Sequence, residues 1–268
     1  MSAGRRFLYT MLGLLVCAWV LLPIYIITLN ALSSKGLINE WPKSFLPTDF
    51  AFETIGFFFG VRGVWQALGN SIVVALLTMI LAIPLGAPAG YALARFAFSG
   101  KDAYRILILM TRAFPIAILA LPLTMRFIQI GIYDTVLAVA LVHTALALPF
   151  AILVTSSLFM GIPRELEEAA WTLGCTRVGA FVKVVLPLAL PGIAATAIFA
   201  FVISWNEVFA AAVLTLQNRT LTAYLLSQLS DSPLYFRFAG GFFLIVPSLI
   251  FIFAVRRYLF SMWGIASR

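Results

Sequence analysis

Charge is scarce in this sequence: Asp, Glu, Lys and Arg together make up 10% of the 268 residues, whereas 63% are apolar. A water-soluble chain of this length could not cover so much apolar material with polar surface, so a soluble domain is excluded. Histidine occurs once, as His143, and cysteine twice, as Cys17 and Cys175. Neither a disulfide framework nor a metal-ligand spacing can be built from these, and a zinc-protease helix would need two histidines. No Gly-x-x-x-x-Gly-Lys-Ser/Thr phosphate loop is present, so no nucleotide is expected to be cradled here in the usual way. With no Ser/His/Asp constellation in sight either, a membrane enzyme is set aside. Solenoid-type repeats and low-complexity tracts are also missing.

What is present is a series of apolar runs long enough to cross a bilayer, at about 7–29, 68–94, 106–130, 135–158, 187–215 and 239–260. They predict an all-α membrane protein of six transmembrane helices forming one domain over 1–268, with both termini on one side. The first run follows Arg5 and Arg6 and far exceeds the ~7–15 apolar residues of a secretory signal, so it reads as an uncleaved signal anchor. The net charge of +8 needs no nucleic acid to explain it, because Lys and Arg accumulate on cytoplasmic loops. With cytoplasmic termini, Arg5, Arg6, Arg95, Lys101, Arg105, Arg164, Arg177, Lys183, Arg256, Arg257 and Arg268 lie inside. Lys35, Lys43, Arg62, Arg126, Arg219 and Arg237 lie outside, and Arg112 falls within a span. The division of 18 cations is 11, 6 and 1, which favours cytoplasmic termini. Residues 30–67 predict short interfacial pieces with Trp41 and Trp65 at the membrane boundary. Pro84, Pro88, Pro115, Pro122 and Pro149 predict bent helices.

The cytoplasmic loop 161–186 carries the most information. Pro163 suits a first helical turn, and Glu165, Glu167 and Glu168 complement the positive end of the helix dipole. Leu166, Ala169, Ala170 and Leu173 recur at three- and four-residue steps, predicting an apolar face with Glu168 at its edge. Gly174 either ends or bends this helix, and a second helical stretch from Thr176 to Val185 runs into Leu186-Pro187. Such a helix either docks into a groove of another protein or lies on the headgroups.

The string Glu168-Ala169-Ala170, three residues, Gly174, nine residues, Val184, one residue, Leu186-Pro187 resembles the EAA loop of permeases of binding-protein-dependent ABC importers. Thr111-Arg112-Ala113-Phe114-Pro115, Gly131-Ile132-Tyr133-Asp134-Thr135, Leu148-Pro149-Phe150, Ile162-Pro163-Arg164-Glu165-Leu166 and Ser204-Trp205-Asn206-Glu207 are similar to the carbohydrate-uptake, maltose-permease-like branch. Leu173 stands where that family usually has Asp, and Met262 to Arg268 replace its small basic tail. The resemblance implies a type I ABC importer transmembrane domain whose coupling helix sits in a cleft of a cytoplasmic ATPase, with Glu168 at the contact. It further implies a second permease chain, two ATPase subunits holding ATP and magnesium, and an extracytoplasmic solute-binding protein, all at a bacterial inner membrane. No cofactor is expected in this chain. The cargo implied is a sugar, polyol or sugar derivative; an amino-acid or peptide permease shares the loop.

An ion-coupled secondary carrier is the rival, and for it the spans offer only Glu207 and His143 as ionisable candidates. Arg112 either lines the path or snorkels to the inner headgroups. Trp205, Asn206 and Glu207 offer either a sugar-binding face or a packing cluster, and Asn70 and Ser71 either path lining or interhelical hydrogen bonds. His143 reads as a satisfied packing residue. The outer-side arginines suit either an anionic sugar or salt bridges to a binding protein.

Overall fold

The computed structural model describes residues 3–42, 45–46 and 49–262, with side chains from residue 4 to 253. Lys43 and the tail from Trp263 to Arg268 lie outside the described residues, as do the side chains of Arg256 and Arg257. Helices α1 (Ala3–Ala31), α2 (Lys35–Asn39), α3 (Glu53–Gly60) and α4 (Val64–Arg95) are followed by α5 (Lys101–Thr111), α6 (Ile116–Gln129) and α7 (Val136–Met160). Then come α8 (Glu165–Thr172), α9 (Arg177–Ala180), a π-helical turn (Phe181–Val185), α10 (Leu186–Asn206), α11 (Phe209–Leu214), α12 (Leu221–Ser227) and α13 (Leu234–Met262). No strand occurs among the described residues. Five helical stretches are long and apolar enough to cross a membrane, and α5 with α6 makes a sixth if a bend of 81° is allowed within one span.

The residues group into two compact units. The first contains residues 1–65 and 225–249. The most apolar stretch of α1 is buried nowhere, as befits a helix that is hydrophobic all round and solvated by lipid. Among the described residues of 30–67, where α4 takes over from Val64, the short pieces expected are α2 and α3. These are tied back by Ala51 N–H to Leu32 O at 2.8 Å and by Thr54 Oγ1 donating to Ser33 O at 3.1 Å. Phe58 packs among Phe59, Phe236 and Phe243, and the Lys35 ammonium lies 4.8 Å and 5.2 Å from the rings of Phe57 and Tyr235.

The second unit contains residues 66–224 and 250–268, and its core is rich in alanine: Ala82, Ala147 and Ala200 meet at one level, Ala138, Ala140, Ala210 and Ala211 at another. Small residues let backbones approach closely, which is how helices attract one another where lipid is as apolar as leucine. Gly86 and Gly90 of α4 face Ala151 and Thr155 of α7. A Cβ on Gly90 would fall 2.8 Å from both Ile152 O and Ser156 N.

Two spans differ from their predicted form. The run 106–130 is not one helix: α5 ends at Thr111 and α6 begins after Pro115 (φ −64°, ψ 125°). Proline has no N–H for the ladder and pushes the preceding residue out of the α region, so Phe114-Pro115 separates the halves. Nor does the run 187–215 span as drawn. Its helix starts ten residues earlier, at Arg177, and stops at Asn206, with Glu207 extended (φ −73°, ψ 130°) before α11. The expected second stretch from Thr176 to Val185 is thus continuous with the fifth span. It contains the π turn, in which Leu186 N–H donates to Phe181 O, directly before Pro187. A proline ring excludes the carbonyl four residues back, that of Lys183 here, and a widened turn accommodates it.

The candidate coupling site

Thr135 and Gly131 show how the second unit sets its corners. Thr135 Oγ1 accepts from Ala138 N–H at 3.2 Å and caps α7, while Gly131 (φ 74°) closes α6. The same device closes α8. Gly174 has φ 88°; its N–H donates to Trp171 O at 3.0 Å, and Cys175 N–H donates to Ala170 O at 3.0 Å. These are the paired bonds of a Schellman cap, so Gly174 ends the helix rather than bending it.

The faces of α8 differ from the predicted stripe. Glu167 is 1% exposed and Ala170 is buried, so these turn toward the body of the unit. Leu166 (43%), Leu173 (86%), Ala169 and Glu168 are exposed. A stripe of apolar spacing marked the helix, but a carboxylate fills the inward position. Glu167 is held by the Arg95 guanidinium through Oε1 and by the Tyr91 hydroxyl, which donates to Oε2 at 2.5 Å. Arg95 Nη2 also donates to Ile162 O at 2.9 Å, and Arg164 Nη2 donates to Arg95 O at 2.8 Å. A buried carboxylate is tolerable only when paired and hydrogen-bonded, and here both oxygens are occupied. Sequence alone could not find Glu167 ahead of its neighbours Glu165 and Glu168, because its partners lie 72 and 76 positions away.

Between this clamp and α9 lies a cavity of about 420 Å³ lined by Tyr91, Arg95, Glu168, Trp171, Arg177 and Phe181, among others. The Arg177 guanidinium sits 5.7 Å from the Trp171 ring. Leu186 is half-buried against the cluster of Ala87, Phe159, Val185, Ala189 and Ile193, whereas Pro187 is exposed.

Of the residues put forward for a path, Asn70, Ser71 and Glu207 all bond to the 219–222 segment. Arg112 is exposed at the end of α5, at the break rather than a turn or two inside a helix. Asn70 Nδ2 donates to Arg219 O at 3.1 Å, and Leu221 N–H donates to Ser71 Oγ at 2.7 Å, so both hold the 219–221 segment. Trp205 is 3% exposed and stacks on Phe201 at 6.0 Å, while Asn206 is exposed and donates to Val202 O at 2.9 Å. Glu207 accepts from Ala210 N–H at 2.9 Å and Ala211 N–H at 3.2 Å, capping α11, and lies 3.0 Å from His143 Nε2. His143 is wholly buried and its Nδ1 lies 2.8 Å from Ser204 Oγ, to which Thr78 donates at 3.2 Å. Buried, with a partner at each ring nitrogen, it matches the expectation of a satisfied packing residue. Asp134, noted only as part of a string, gathers the loop after α11: its Oδ1 accepts from the N–H groups of Leu216 (2.8 Å), Gln217 (3.1 Å) and Asn218 (3.0 Å). Its backbone is left-handed (φ 58°), a region that Asp tolerates better than most residues.

Among the described residues no three His, Cys, Asp or Glu side chains cluster to hold a metal.

Comparison with known proteins accords with this geometry. Residues 82–262 match the family described as binding-protein-dependent transport system inner membrane component. The chain is 34% identical to the trehalose transport system permease protein SugB of Mycobacterium tuberculosis, over 96% of its own length and 95% of that protein's. It is 31% identical to the diacetylchitobiose uptake system permease protein NgcG of Streptomyces coelicolor, covering 93% and 85%. In fold it is similar to a chain of a bacterial ABC transporter involved in the import of the acidic polysaccharide alginate, with a TM-score of 0.72 at 21% identity, covering 96% and 98%. A chain of the MetNI methionine ABC transporter in an inward-facing conformation gives a TM-score of 0.59 at 20% identity, covering 78% and 98%. With the helical path, the capped loop helix and these matches together, the chain belongs to the binding-protein-dependent transport system inner membrane components, the multi-pass permeases of ABC importers.

Proposed function

We propose that this chain imports a sugar, a polyol or a sugar derivative by alternating access. The observation that carries this is its likeness over nearly its whole length to permeases named for trehalose and diacetylchitobiose uptake. The chain acts as one transmembrane domain over 1–268 and pairs with a second permease chain around the path. Two ATPase subunits, which hold the ATP and magnesium, engage α8 through Glu168 and the exposed Leu166, Ala169 and Leu173. The end of the bundle bearing α8, Arg95, Arg105 and Arg164 is cytoplasmic, as are both termini, and a solute-binding protein delivers cargo at the other end. That orientation is supported by the 11-to-6 bias of cations and by the bonds that gather Arg95 and Arg164 at one end.

The test is reconstitution of the full transporter in proteoliposomes. Uptake of labelled trehalose, diacetylchitobiose, a polyol and an acidic sugar is measured with ATP inside and binding protein outside. Uptake of at least one of these, dependent on both, is expected. Uptake driven by an ion gradient through this chain alone, or transport only of amino acids or peptides, would refute the proposal.

A further inference from the structure

Helix α8 is eight residues long, and much of its surface faces away from the unit: Leu166, Glu168, Ala169 and Leu173 are exposed. The chain joins it through the helical Gly161, which caps α7, on one side and the left-handed Gly174 on the other. Side chains add a third attachment, against α4. Tyr91 and Arg95 stand one helical turn apart on the last turn of α4, and both close on Glu167. The Arg95 guanidinium reaches Ile162, just before Pro163, as well as Glu167 within α8, so it grips both sides of the helix start. Arg164 answers by donating to Arg95 O, among the last carbonyls of α4, where a cation also complements the negative end of the helix dipole. Glu167 is 1% exposed, so burial keeps it from a partner protein, unlike the exposed Glu168.

We propose that Glu167 is the positioning residue for coupling: by closing on Tyr91 and Arg95 it makes α8 and the adjoining end of α4 a single rigid body. Displacement of α8 then reaches the membrane path through α4, not only through the chain into α7 and α9. Arg95 and Tyr91 are the two parts of the latch that receive Glu167. The inference rests on the coupling role given to α8 above.

The experiment uses the complete transporter with Cys17 and Cys175 replaced by Ser and spin labels at Ala97→Cys, just past α4, and Thr172→Cys, at the exposed last residue of α8. Four quantities are read in parallel: co-purification of the ATPase, stimulation of its activity by loaded binding protein, ATP-driven uptake, and the label-to-label distance with and without trapped nucleotide. In the parent protein the distance distribution stays single and unchanged by nucleotide. In E167Q the ATPase still co-purifies at the parental ratio, but the distribution broadens and shifts with nucleotide. Uptake and stimulated ATPase activity fall roughly ten- to hundredfold, the span of an ordinary coupling energy. Should E167Q fail to accumulate in the membrane, Y91F replaces it; it removes one hydrogen bond and no charge, and the same broadening with a smaller loss of uptake is expected. A nucleotide-dependent change of distance in the parent protein, or parental uptake and an unbroadened distribution in the variant, overturns the proposal. Loss of co-purification in E168A is the separate readout for docking: if E168A docks and transports normally, the proposed ATPase contact at Glu168 fails while the rigid-body inference is still judged by its own distances.

Discussion

Substituting the glycines of α4 by alanine offers a graded test of the helix packing, because one helix carries three glycines in three different surroundings. At Gly69 a Cβ would meet nothing within 4 Å, so G69A should gain about 0.5–1 kcal/mol from reduced chain entropy and better helix propensity. At Gly86 the nearest atom is Ala151 Cβ at 2.8 Å, with the next at 3.4 Å, so a small shift of α7 relieves most of the clash. At Gly90 the Cβ would press on two backbone atoms, Ile152 O and Ser156 N, both at 2.8 Å, as well as on Thr155 Oγ1. Backbone inside a helix cannot swing aside, so α4 and α7 must separate by roughly 1 Å to restore ordinary contact, and overpacking of this kind costs about 1–3 kcal/mol. Thr155 Oγ1, which donates to Gly86 O at 3.2 Å across the same seam, would lose that bond as the helices part. Thermal unfolding of the detergent-solubilised complex, followed by loss of monodisperse protein, should therefore rank the variants G69A, then G86A, then G90A, with G90A several degrees below the parent. Equal stability of G69A and G90A would refute the close approach of the two helices.

Substitutions at three further positions address other elements. G174A forces an L side chain into a left-handed backbone and should cost about 1–2 kcal/mol at the end of α8, lowering uptake, whereas G174N should be milder; transport assays on both check this. H143L removes one partner from the Glu207 carboxylate, which keeps the N–H groups of Ala210 and Ala211, and one from the Ser204 hydroxyl, which keeps Thr78, so a loss of about 1–2 kcal/mol is expected in the unfolding assay. D134A releases the N–H groups of Leu216, Gln217 and Asn218, so limited proteolysis should cut the exposed 216–217 segment faster than in the parent.

Helices α1, α4, α7 and α13 were legible because continuous apolar runs leave no other element long enough to bury them. The presence of α8 was legible because Pro163 and Gly174 act locally, although the helix begins at Glu165, two residues after Pro163, and whether Gly174 ends or bends it was left open by the sequence. The break at Glu207 was not, since Ser204-Trp205-Asn206-Glu207 holds neither glycine nor proline. What stops the helix there is a carboxylate drawn to His143 and to the N–H groups of α11, a choice made by the fold. The bend near Pro115 had its cause in view, but an apolar run containing proline is compatible with a tolerated kink as well as with separate helices. Glu167 was hidden for another reason: three carboxylates in one helical turn look alike until Arg95 and Tyr91 select one.

The π turn at Phe181–Val185 has a consequence for the phase of the fifth span. One extra residue in a turn rotates the helix before it by about 100° relative to the helix after it. Removing the exposed Val182 would let the segment close as a regular α-helix and turn α9, with the cap of α8 behind it, by that angle around the axis of α10. Phe181, whose ring lies 4.5 Å from that of Tyr91 and 5.9 Å from that of Phe159, would be carried out of their reach. A single inserted residue thus sets the azimuth from which α8 addresses the rest of its unit.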